Sequence, residues 1–304
     1  MPELLPPSAL VALLVVVIGA PLVAGIVSRT KAIAAGRRGP PVWQLYADLW
    51  KLVRRGVVYS TTTTWIFRLA PIMVVTTTVI AATLLPLDGR ESLLRFAGDA
   101  VAFAYLLALG RFTLVLAALD TGSSFEGMGA SREVTFASFV EPGLFIVLAA
   151  LGIMAHDFSL SAMLGETSRP VTATTASVIV AASLFTLALA ECSRVPVDDP
   201  ATHLELTMVH EVMVLDHSGP DLAMILYANA LKLAVFAAMI VNVLIPQPVD
   251  GWLGVATLFG SFVGMGIAIG IVESVMARLR LPKVPLYVAA GSALALFGLI
   301  LLLR

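Results

Sequence analysis

The sequence is poor in charged residues and cysteine, and it lacks glycine-rich nucleotide-binding loops. Charged residues make up 13% of its 304 residues, whereas an ordinary soluble domain has about 25%. Its single cysteine, Cys192, excludes a disulfide within the chain. It also excludes an iron–sulfur cluster held by this chain alone, because such clusters take several thiolates. Neither a P-loop nor a dinucleotide-binding glycine motif is present. Any electrons that pass near this chain must therefore be carried by another protein.

Apolar residues, by contrast, make up 59% of the sequence, and the mean hydropathy is +0.96. Several apolar runs reach or approach the roughly 20 residues that a helix needs to cross about 30 Å of hydrocarbon. Because these runs show no period-two alternation, they predict helices rather than the strands of a closed barrel. The sequence therefore predicts an all-α, polytopic transmembrane helical bundle in which residues 1–304 form a single integral membrane domain.

We predict eight transmembrane spans, and the first apolar run counts as a span because it lacks the short core and cleavage site of a signal peptide. The spans cover residues 8–28, 66–87, 97–119, 134–155, 172–190, 221–244, 252–273 and 284–303. Short cytoplasmic loops retain Lys and Arg, and placing the N-terminus outside puts 13 of them on the inner side and 4 on the outer side. This asymmetry predicts a protein of the inner (plasma) membrane whose main polar loops face the cytoplasm.

Three polar segments lie on the inner side in this topology: the basic residues 29–65, the glycine-rich residues 120–133 and the acidic residues 191–220. In the glycine-rich segment, the glycines permit tight turns and the close approach of another chain or a ligand. In the basic segment, apolar residues at helical spacing beside polar ones indicate a short amphipathic helix at the membrane surface. Those apolar residues are Val42, Leu45, Leu49 and Leu52.

Among the charged residues within or at the end of predicted spans, where an ionisable group is costly and commonly functional, we take five as candidates for a functional role. They are Arg111, Glu141, Glu191, Lys232 and Glu273. Carboxylates spaced across a bundle could relay protons, or they could form fixed ion pairs that set the register of the helices. Glu191 and Glu273 end their spans, so a position in the headgroup layer is also open to them.

The stretch from residue 191 to 221 contains seven acids and one base, Arg194. The acids are Glu191, Asp198, Asp199, Glu205, Glu211, Asp216 and Asp221. His203, His210 and His217 recur there at intervals of seven, which on a straight helix separates neighbours by about 10 Å along the axis. That separation is too large for three ligands of one metal ion, so we predict no metal site and favour a surface where a partner docks.

Three inner segments resemble one family. RRGPPVWQLYADLWKLVRRG at 37–56 looks like the first inner loop of the NADH dehydrogenase subunit 1 type, the membrane subunit of respiratory complex I that forms a wall of the quinone chamber. SSFEGMGASREVTFASFVEP at 123–142 resembles that family's connection between its third and fourth spans. ECSRVPVDDPATHLEL at 191–206 resembles its proline-rich loop, but Val-Asp-Asp-Pro replaces Phe-Asp-Leu-Pro and Ala-Thr-His replaces a run of glutamates. This variant is closer to the corresponding subunit of membrane-bound nickel–iron hydrogenases of the formate hydrogenlyase and hydrogenase-4 type.

The resemblance implies eight transmembrane helices inside a larger oxidoreductase complex. It implies a hydrogenase-like large subunit and iron–sulfur subunits on the cytoplasmic side, and antiporter-like subunits in the bilayer. The nickel–iron centre and the iron–sulfur clusters would lie in those partners, and this chain would bind no cofactor itself. No nucleic acid is expected among the partners.

The resemblance also implies roles for individual residues. Glu141 and Glu191 match the family's intramembrane glutamates, and the predicted proton path comprises Glu141, Glu191, Asp198, Glu205, Glu211, Arg111 and Lys232. The side chains predicted to face the peripheral arm or the cavity beneath it are Gln44, Asp48, Lys51, Arg132, Arg194, His203 and His210. The acids gather in 191–221, on this hypothesis, because a redox event in a neighbouring subunit can bias their protonation.

The predicted function is that of a non-catalytic membrane subunit. It would anchor the peripheral electron-transfer arm and couple redox chemistry to the movement of protons, or of sodium, through intramembrane carboxylates. A quinone-reactive subunit of NADH-quinone oxidoreductase is the nearest alternative. Two functions of other classes remain possible: a passive structural anchor and a secondary transporter. The sequence shows no internal repeat of the kind that transporters have.

Overall fold

A computed structural model describes residues 7–88, 92–165, 171–198, 208–244 and 252–303, and within these residues it contains helices and no strand. For 171–174 only the backbone is described. The helices are α1 (Pro7–Ala34), α2 (Gln44–Val53), α3 (Trp65–Thr83), α4 (Asp99–Asp120), α5 (Ser124–Ala155), α6 (Leu160–Gly165), α7 (Val171–Glu191), α8 (Gly219–Leu244), α9 (Trp252–Val275) and α10 (Val284–Leu302). Short 3-10 turns occupy Glu211–Val214 and Leu281–Lys283.

Each predicted span coincides with one of these helices. Within the described residues, seven helices are long and apolar enough to cross a membrane, and α7 adds the shorter apolar stretch Thr175–Glu191. The prediction of an all-α polytopic bundle is therefore confirmed. The placement of the N-terminus outside, and of residues 1–304 in a single domain, stay predictions.

The fourth span begins earlier than the sequence indicates. Most of the glycine-rich segment is helical, since α5 starts at Ser124 rather than near residue 134. Gly122 has a positive φ of 71° and forms the turn before α5. Gly129 lies inside the helix, where a Cβ would collide with the side chain of Val212. That glycine thus serves close packing of the Glu211–Val214 turn on α5, and not a chain reversal.

Small residues bring the long helices close together. α1 packs along α9, and α10 packs on α5 and α7. Gly266 and Gly270 of α9 face Ile26 and Thr30 of α1, where added Cβ atoms would have to displace those side chains. This is the usual packing of membrane helices, in which small residues allow close backbone approach.

The predicted amphipathic helix is α2, and it lies against α1 and α8. The carbonyl of Val42 sits directly against Gly25 of α1, so that no Cβ fits there. The Tyr46 hydroxyl donates a hydrogen bond to the carbonyl of Ile18, further along α1. These contacts place α2 about 14 to 24 Å from the Ala34 end of α1, at roughly 1.5 Å per residue. No residue of α2 is fully buried.

Candidate functional site

The buried guanidinium of Arg111 in α4 organises the candidate site, and its side chain is only 8% exposed. Its Nη2 donates to both carboxylate oxygens of Glu191, at 2.7 and 2.8 Å. Its Nη1 donates to Glu141 Oε1 at 3.2 Å, and its Nε lies 3.7 Å from Glu133 Oε1. Lys232 Nζ of α8 lies 3.6 Å from Glu191 Oε1. We call these five side chains the buried charge cluster.

The cluster lies deep among the helices. Arg111 is about 14 Å from the Asp120 end of α4, at roughly 1.5 Å per residue. Glu191 ends α7 and reaches Arg111 directly, so α7 terminates at a level where α4 continues. Irregular backbone at such depth is tolerated only where protein or a cavity surrounds it. Of the two positions that the sequence left open for Glu191, the structure therefore favours the bundle interior over the headgroup layer.

The side chains of the three carboxylates differ in their exposed fraction. Their side chains are 3% exposed for Glu191, 13% for Glu133 and 43% for Glu141. With all five groups ionised, three negative charges face two positive ones, so the cluster has one carboxylate more than it has cations to neutralise it. Buried like charges are costly, which makes such a group a place where a proton can be held and released.

Sequence reasoning missed Glu133. The predicted fourth span begins at residue 134, so Glu133 fell just outside it. In the structure Glu133 lies within α5, about two turns from Glu141. Recognising that the glycine-rich segment continues the helix would have placed both carboxylates along the same helix.

Asp198 holds the loop after α7 in place. Its Oδ1 accepts a hydrogen bond from Arg278 Nη2 at 2.8 Å, and its Oδ2 accepts the backbone N–H groups of Val209 and His210 at 3.1 and 3.2 Å. The backbone N–H of Leu279 also donates to the Pro196 carbonyl at 2.9 Å. Asp198 thereby joins the first part of the acidic segment to Val209 and His210 in its second half, and to the chain that follows α9.

A second set of ion pairs ties the same loop to α1 and α9. Arg194 Nη1 lies 3.6 Å from Glu273 Oε1, and Lys31 Nζ lies 3.1 Å from Glu273 Oε2. The Glu273 side chain is 1% exposed, so this residue belongs to the protein interior. Arg132 of α5 donates to the Met208 carbonyl at 2.9 Å, which fixes the start of the second half of the acidic segment.

A cavity of about 210 Å³ lies between α1, α2, α8 and the loop after α7. Its lining includes Leu45, Cys192, Arg194, Asp198, His210, Glu211 and Asn229. A separate void of about 20 Å³ is lined by Arg111, Glu133 and Lys232, and also by His210 and Asn229. A void of this size holds one water molecule. His210 and Asn229 therefore stand between the cavity and the buried charge cluster.

His210 is a neutral imidazole in this position. Burial, together with repulsion from Lys232, lowers the pKa of His210 to about 3. Its ring is hydrogen-bonded to the side-chain amide of Asn229. A neutral imidazole has one donor and one acceptor nitrogen, so it can pass a proton between two neighbours.

The remaining predicted residues are placed as follows. Gln44 donates to Asp48 at 3.0 Å, and Lys51 lies 3.8 Å from the same carboxylate. Glu205 and His203 lie outside the described residues. Within the part of the chain that the structure describes, no three His, Cys, Asp or Glu residues are grouped to hold a metal ion. His217 is buried and stacked on Phe67, with ring centroids 3.9 Å apart, so it does not form part of a docking surface.

Comparison with known proteins identifies the family. The model of the NADH dehydrogenase family matches residues 8–303. The chain belongs to the NADH dehydrogenase family. It is 34% identical to hydrogenase-4 component C of Escherichia coli (strain K12) over 248 residues, covering 80% of this chain and 76% of that protein. It is 31% identical to formate hydrogenlyase subunit 4 of the same organism over 295 residues, covering 93% and 94%.

The fold has a solved counterpart within a membrane complex. A chain of the membrane-bound sulfane sulfur reductase, an archaeal respiratory membrane complex, matches with a TM-score of 0.84 and 19% identity. The match covers 97% of this chain and 98% of that one. The resemblance drawn from the three inner segments is thus confirmed, and this member of the NADH dehydrogenase family is a multi-pass membrane protein.

Proposed function

We propose that this protein is the membrane subunit of an energy-converting hydrogenase or complex I-like oxidoreductase, in which the buried charge cluster couples redox chemistry to proton movement. The observation that carries the proposal is the contact of Arg111 with three carboxylates and, through Glu191, with Lys232. Charged groups in a span are costly and are retained chiefly where they serve a path or a pair. Here the carboxylates outnumber the cations, which suits a site whose proton occupancy changes.

The route into the cluster begins at the 210 Å³ cavity beside the acidic segment. His210 and Asn229 line both this cavity and the water-sized void next to Arg111, Glu133 and Lys232. Water in that void would bridge the imidazole and the cluster, because protons move along chains of donors and acceptors. Glu141, whose side chain is 43% exposed, is the exit towards a neighbouring membrane subunit.

The proposed partners are inferred from the likeness to two relatives. Hydrogenase-4 component C and formate hydrogenlyase subunit 4 are named as parts of multi-subunit enzymes. By this likeness, a hydrogenase-like large subunit with a nickel–iron centre and iron–sulfur subunits would dock on the cytoplasmic side of the plasma membrane. Antiporter-like subunits would contact this chain in the bilayer. On this proposal the reaction occurs in the partners, and this chain is a non-catalytic member of the complex.

The proposed coupling is electrostatic. A unit charge brought within about 4 Å of another changes its energy by about 4 kcal/mol at an effective dielectric of 20, which is roughly a thousandfold change in a protonation equilibrium. Arg194 and Asp198 belong to the loop that begins at Glu191, so a partner that moves or charges this loop acts on the cluster at short range.

A quinone-reactive subunit is the second candidate, and the cavity is the observation that favours it. The cavity combines the apolar side chains of Leu45, Val214 and Ile225 with polar groups, as ligand pockets do. Its volume of about 210 Å³ is, however, smaller than the roughly 300–1,000 Å³ of drug-sized ligand pockets, which favours water as the occupant.

The decisive experiment replaces Glu191, whose two carboxylate oxygens both accept hydrogen bonds from Arg111. Glu191→Gln keeps the size and one acceptor oxygen but removes the charge and the exchangeable proton. In proteoliposomes containing the assembled complex, we expect hydrogen turnover with an artificial electron donor to persist while acidification of the lumen falls at least tenfold. Glu133→Gln tests the second carboxylate in the same assay.

Asp99→Asn is the matched control. Asp99 is a buried carboxylate at the opposite end of the Arg111 helix, where it accepts hydrogen bonds from Ser159 Oγ and the Leu160 N–H. Its substitution should leave coupling intact. Full coupling in both glutamine variants would leave a passive anchor as the function, and inhibition of turnover by a quinone analogue would favour the quinone-reactive subunit.

A further inference from the structure

The face of α2 that points away from the protein carries two exposed indoles. Trp43, just before α2, is 65% exposed, and Trp50 is 59% exposed. They are seven residues apart, which places them on one side of the helix. Val53, on the next turn, is 55% exposed. Nothing within the described part of the chain covers these side chains.

The chain on either side of the indoles is rich in positive charge. The segment 35–55 contains five basic residues and one acid, and the basic residues are Arg37, Arg38, Lys51, Arg54 and Arg55. The acid, Asp48, is already paired with Lys51 at 3.8 Å and accepts from Gln44. The Arg54 guanidinium lies over the Trp50 ring, 4.4 Å from its centroid, so charge and aromatic surface form one continuous patch.

The position of α2 suits a bilayer interface. Val42, just before α2, contacts Gly25 of α1, and the Tyr46 side chain reaches the carbonyl of Ile18. The start of α2 therefore lies against the part of α1 that is predicted to cross the membrane, short of its Ala34 end. Trp is enriched where hydrocarbon meets headgroups. Lys and Arg at that level extend along the apolar surface and place their charge among phosphates.

We propose that this face of α2 binds anionic phospholipid, with Trp43 and Trp50 at the acyl–headgroup boundary and Lys51, Arg54 and Arg55 around the phosphate. Clusters of four to eight basic residues on an amphipathic helix recognise anionic headgroups, with about 1 kcal/mol for each residue near the surface. A soluble partner subunit would instead require the indoles to leave the level of the membrane. The lipid surface therefore explains both the charge and the exposed aromatic rings, and on this proposal Lys51 faces lipid and not the peripheral arm to which the resemblance assigned it.

Quenching of single tryptophans by brominated lipid tests the proposal. A variant that keeps only Trp50, with Trp43, Trp65 and Trp252 changed to Phe, is reconstituted in nanodiscs of phosphatidylcholine and phosphatidylglycerol, one of which has brominated chains. We expect brominated phosphatidylglycerol to quench Trp50 at least about fivefold more effectively than brominated phosphatidylcholine, since the contribution of even one basic residue, about 1 kcal/mol, corresponds to that ratio. Replacing Lys51, Arg54 and Arg55 by Gln should abolish the preference.

Two control variants are measured in the same nanodiscs. Trp252 begins α9, while Glu273 near the other end of that helix pairs with Lys31, so Trp252 lies at the opposite membrane face and a Trp252-only variant should show no preference. Arg280→Gln with Lys283→Gln removes two exposed basic residues outside the patch and should leave the Trp50 preference unchanged.

Lipid that co-purifies with the intact protein gives a second readout that needs no Trp substitution. The wild type should retain more phosphatidylglycerol or cardiolipin than the triple Gln variant, as measured by mass spectrometry. Equal quenching of Trp50 by both lipids would overturn the proposal. So would loss of all quenching on assembly of the full complex, because a protein subunit would then cover this face.

Discussion

Arg111 and Glu191, which are 80 residues apart, meet through a single guanidinium nitrogen that donates to both carboxylate oxygens. The contact joins the interior of α4 to the last residue of α7. It explains why α7 can end inside the bundle, since the charge that terminates the helix is neutralised and hydrogen-bonded there.

Replacing Arg111 with Met should destabilise the protein, because Glu191 and its neighbouring carboxylates would remain buried without their main cation. Removing one member of a buried ion pair costs about 3–5 kcal/mol. Arg111→Lys should cost less, since it keeps the charge but loses the planar fork. The measurement is the thermal unfolding midpoint in detergent, followed by tryptophan fluorescence.

The double variant Arg111→Met with Glu191→Met is the informative comparison for that prediction. Replacing both members of a buried pair by apolar residues is often close to neutral, so part of the lost stability should return. Exposed Arg280→Met is the control. An unfolding midpoint for Arg111→Met equal to that of the wild type would show that the cluster contributes nothing to the fold.

Stability should fall in acid partly through His217. Its ring is buried against Phe67, and both ring nitrogens lack a hydrogen-bond partner within the described residues. Burial lowers the pKa of His217 to about 4, against about 6.5 in an unfolded chain. Between these values the unfolded state binds more protons, so stability decreases as the pH falls, by about 1.6 kcal/mol between pH 6.5 and pH 5.

His217→Phe isolates that contribution. Phenylalanine retains the stacking on Phe67 and does not titrate, so the difference in unfolding free energy between variant and wild type should grow in favour of the variant as the pH falls from 6.5 to 5. A difference independent of pH would contradict the assignment to His217. The loss of stability in acid would then have to come from the acidic residues of the same region.

Cys192 reports on the cavity, because it is the sole cysteine and lines it. Burial raises the pKa of Cys192 to about 12, and the thiolate is the reactive species. We expect N-ethylmaleimide at pH 8 to label the folded protein about a thousandfold more slowly than the chain unfolded in SDS. Mass spectrometry of timed samples gives both rates.

A relocated thiol provides the reference for this experiment. Ser60 is exposed, so Ser60→Cys in a Cys192→Ser background should be labelled at the ordinary rate of a free thiol. Rapid labelling of Cys192 in the folded protein would mean that the cavity is wide open to solvent.

Much of the fold was predictable, and the reason is the bilayer. Backbone groups in hydrocarbon must bond within their own helix, so apolar runs of sufficient length predict helices directly, and each predicted span has its helix. The start of α5 was not predictable from composition. Gly129 resembles a turn residue, and only the packing of Val212 on it gives the reason for a glycine inside a helix.

The candidate site, like the fold, was predictable only in part. Arg111, Glu141, Glu191 and Lys232 attract notice in the sequence because charge in a span needs a cause, but their mutual contacts do not follow from their positions along the chain. Glu133 was not singled out, and Asp198, expected in a proton path, has both oxygens engaged by Arg278 and backbone N–H groups. Its assignment to the path stays a prediction.

The sequence by itself determined the class of this protein. The free-energy cost of placing polar backbone and charge in lipid acts on every residue of a span, so the composition of the spans reveals it. The tertiary structure alone decided which charges meet. Ion pairing depends on separations of 3 to 4 Å between helices, and those separations are set by how small residues such as Gly129 and Gly266 let the helices pack.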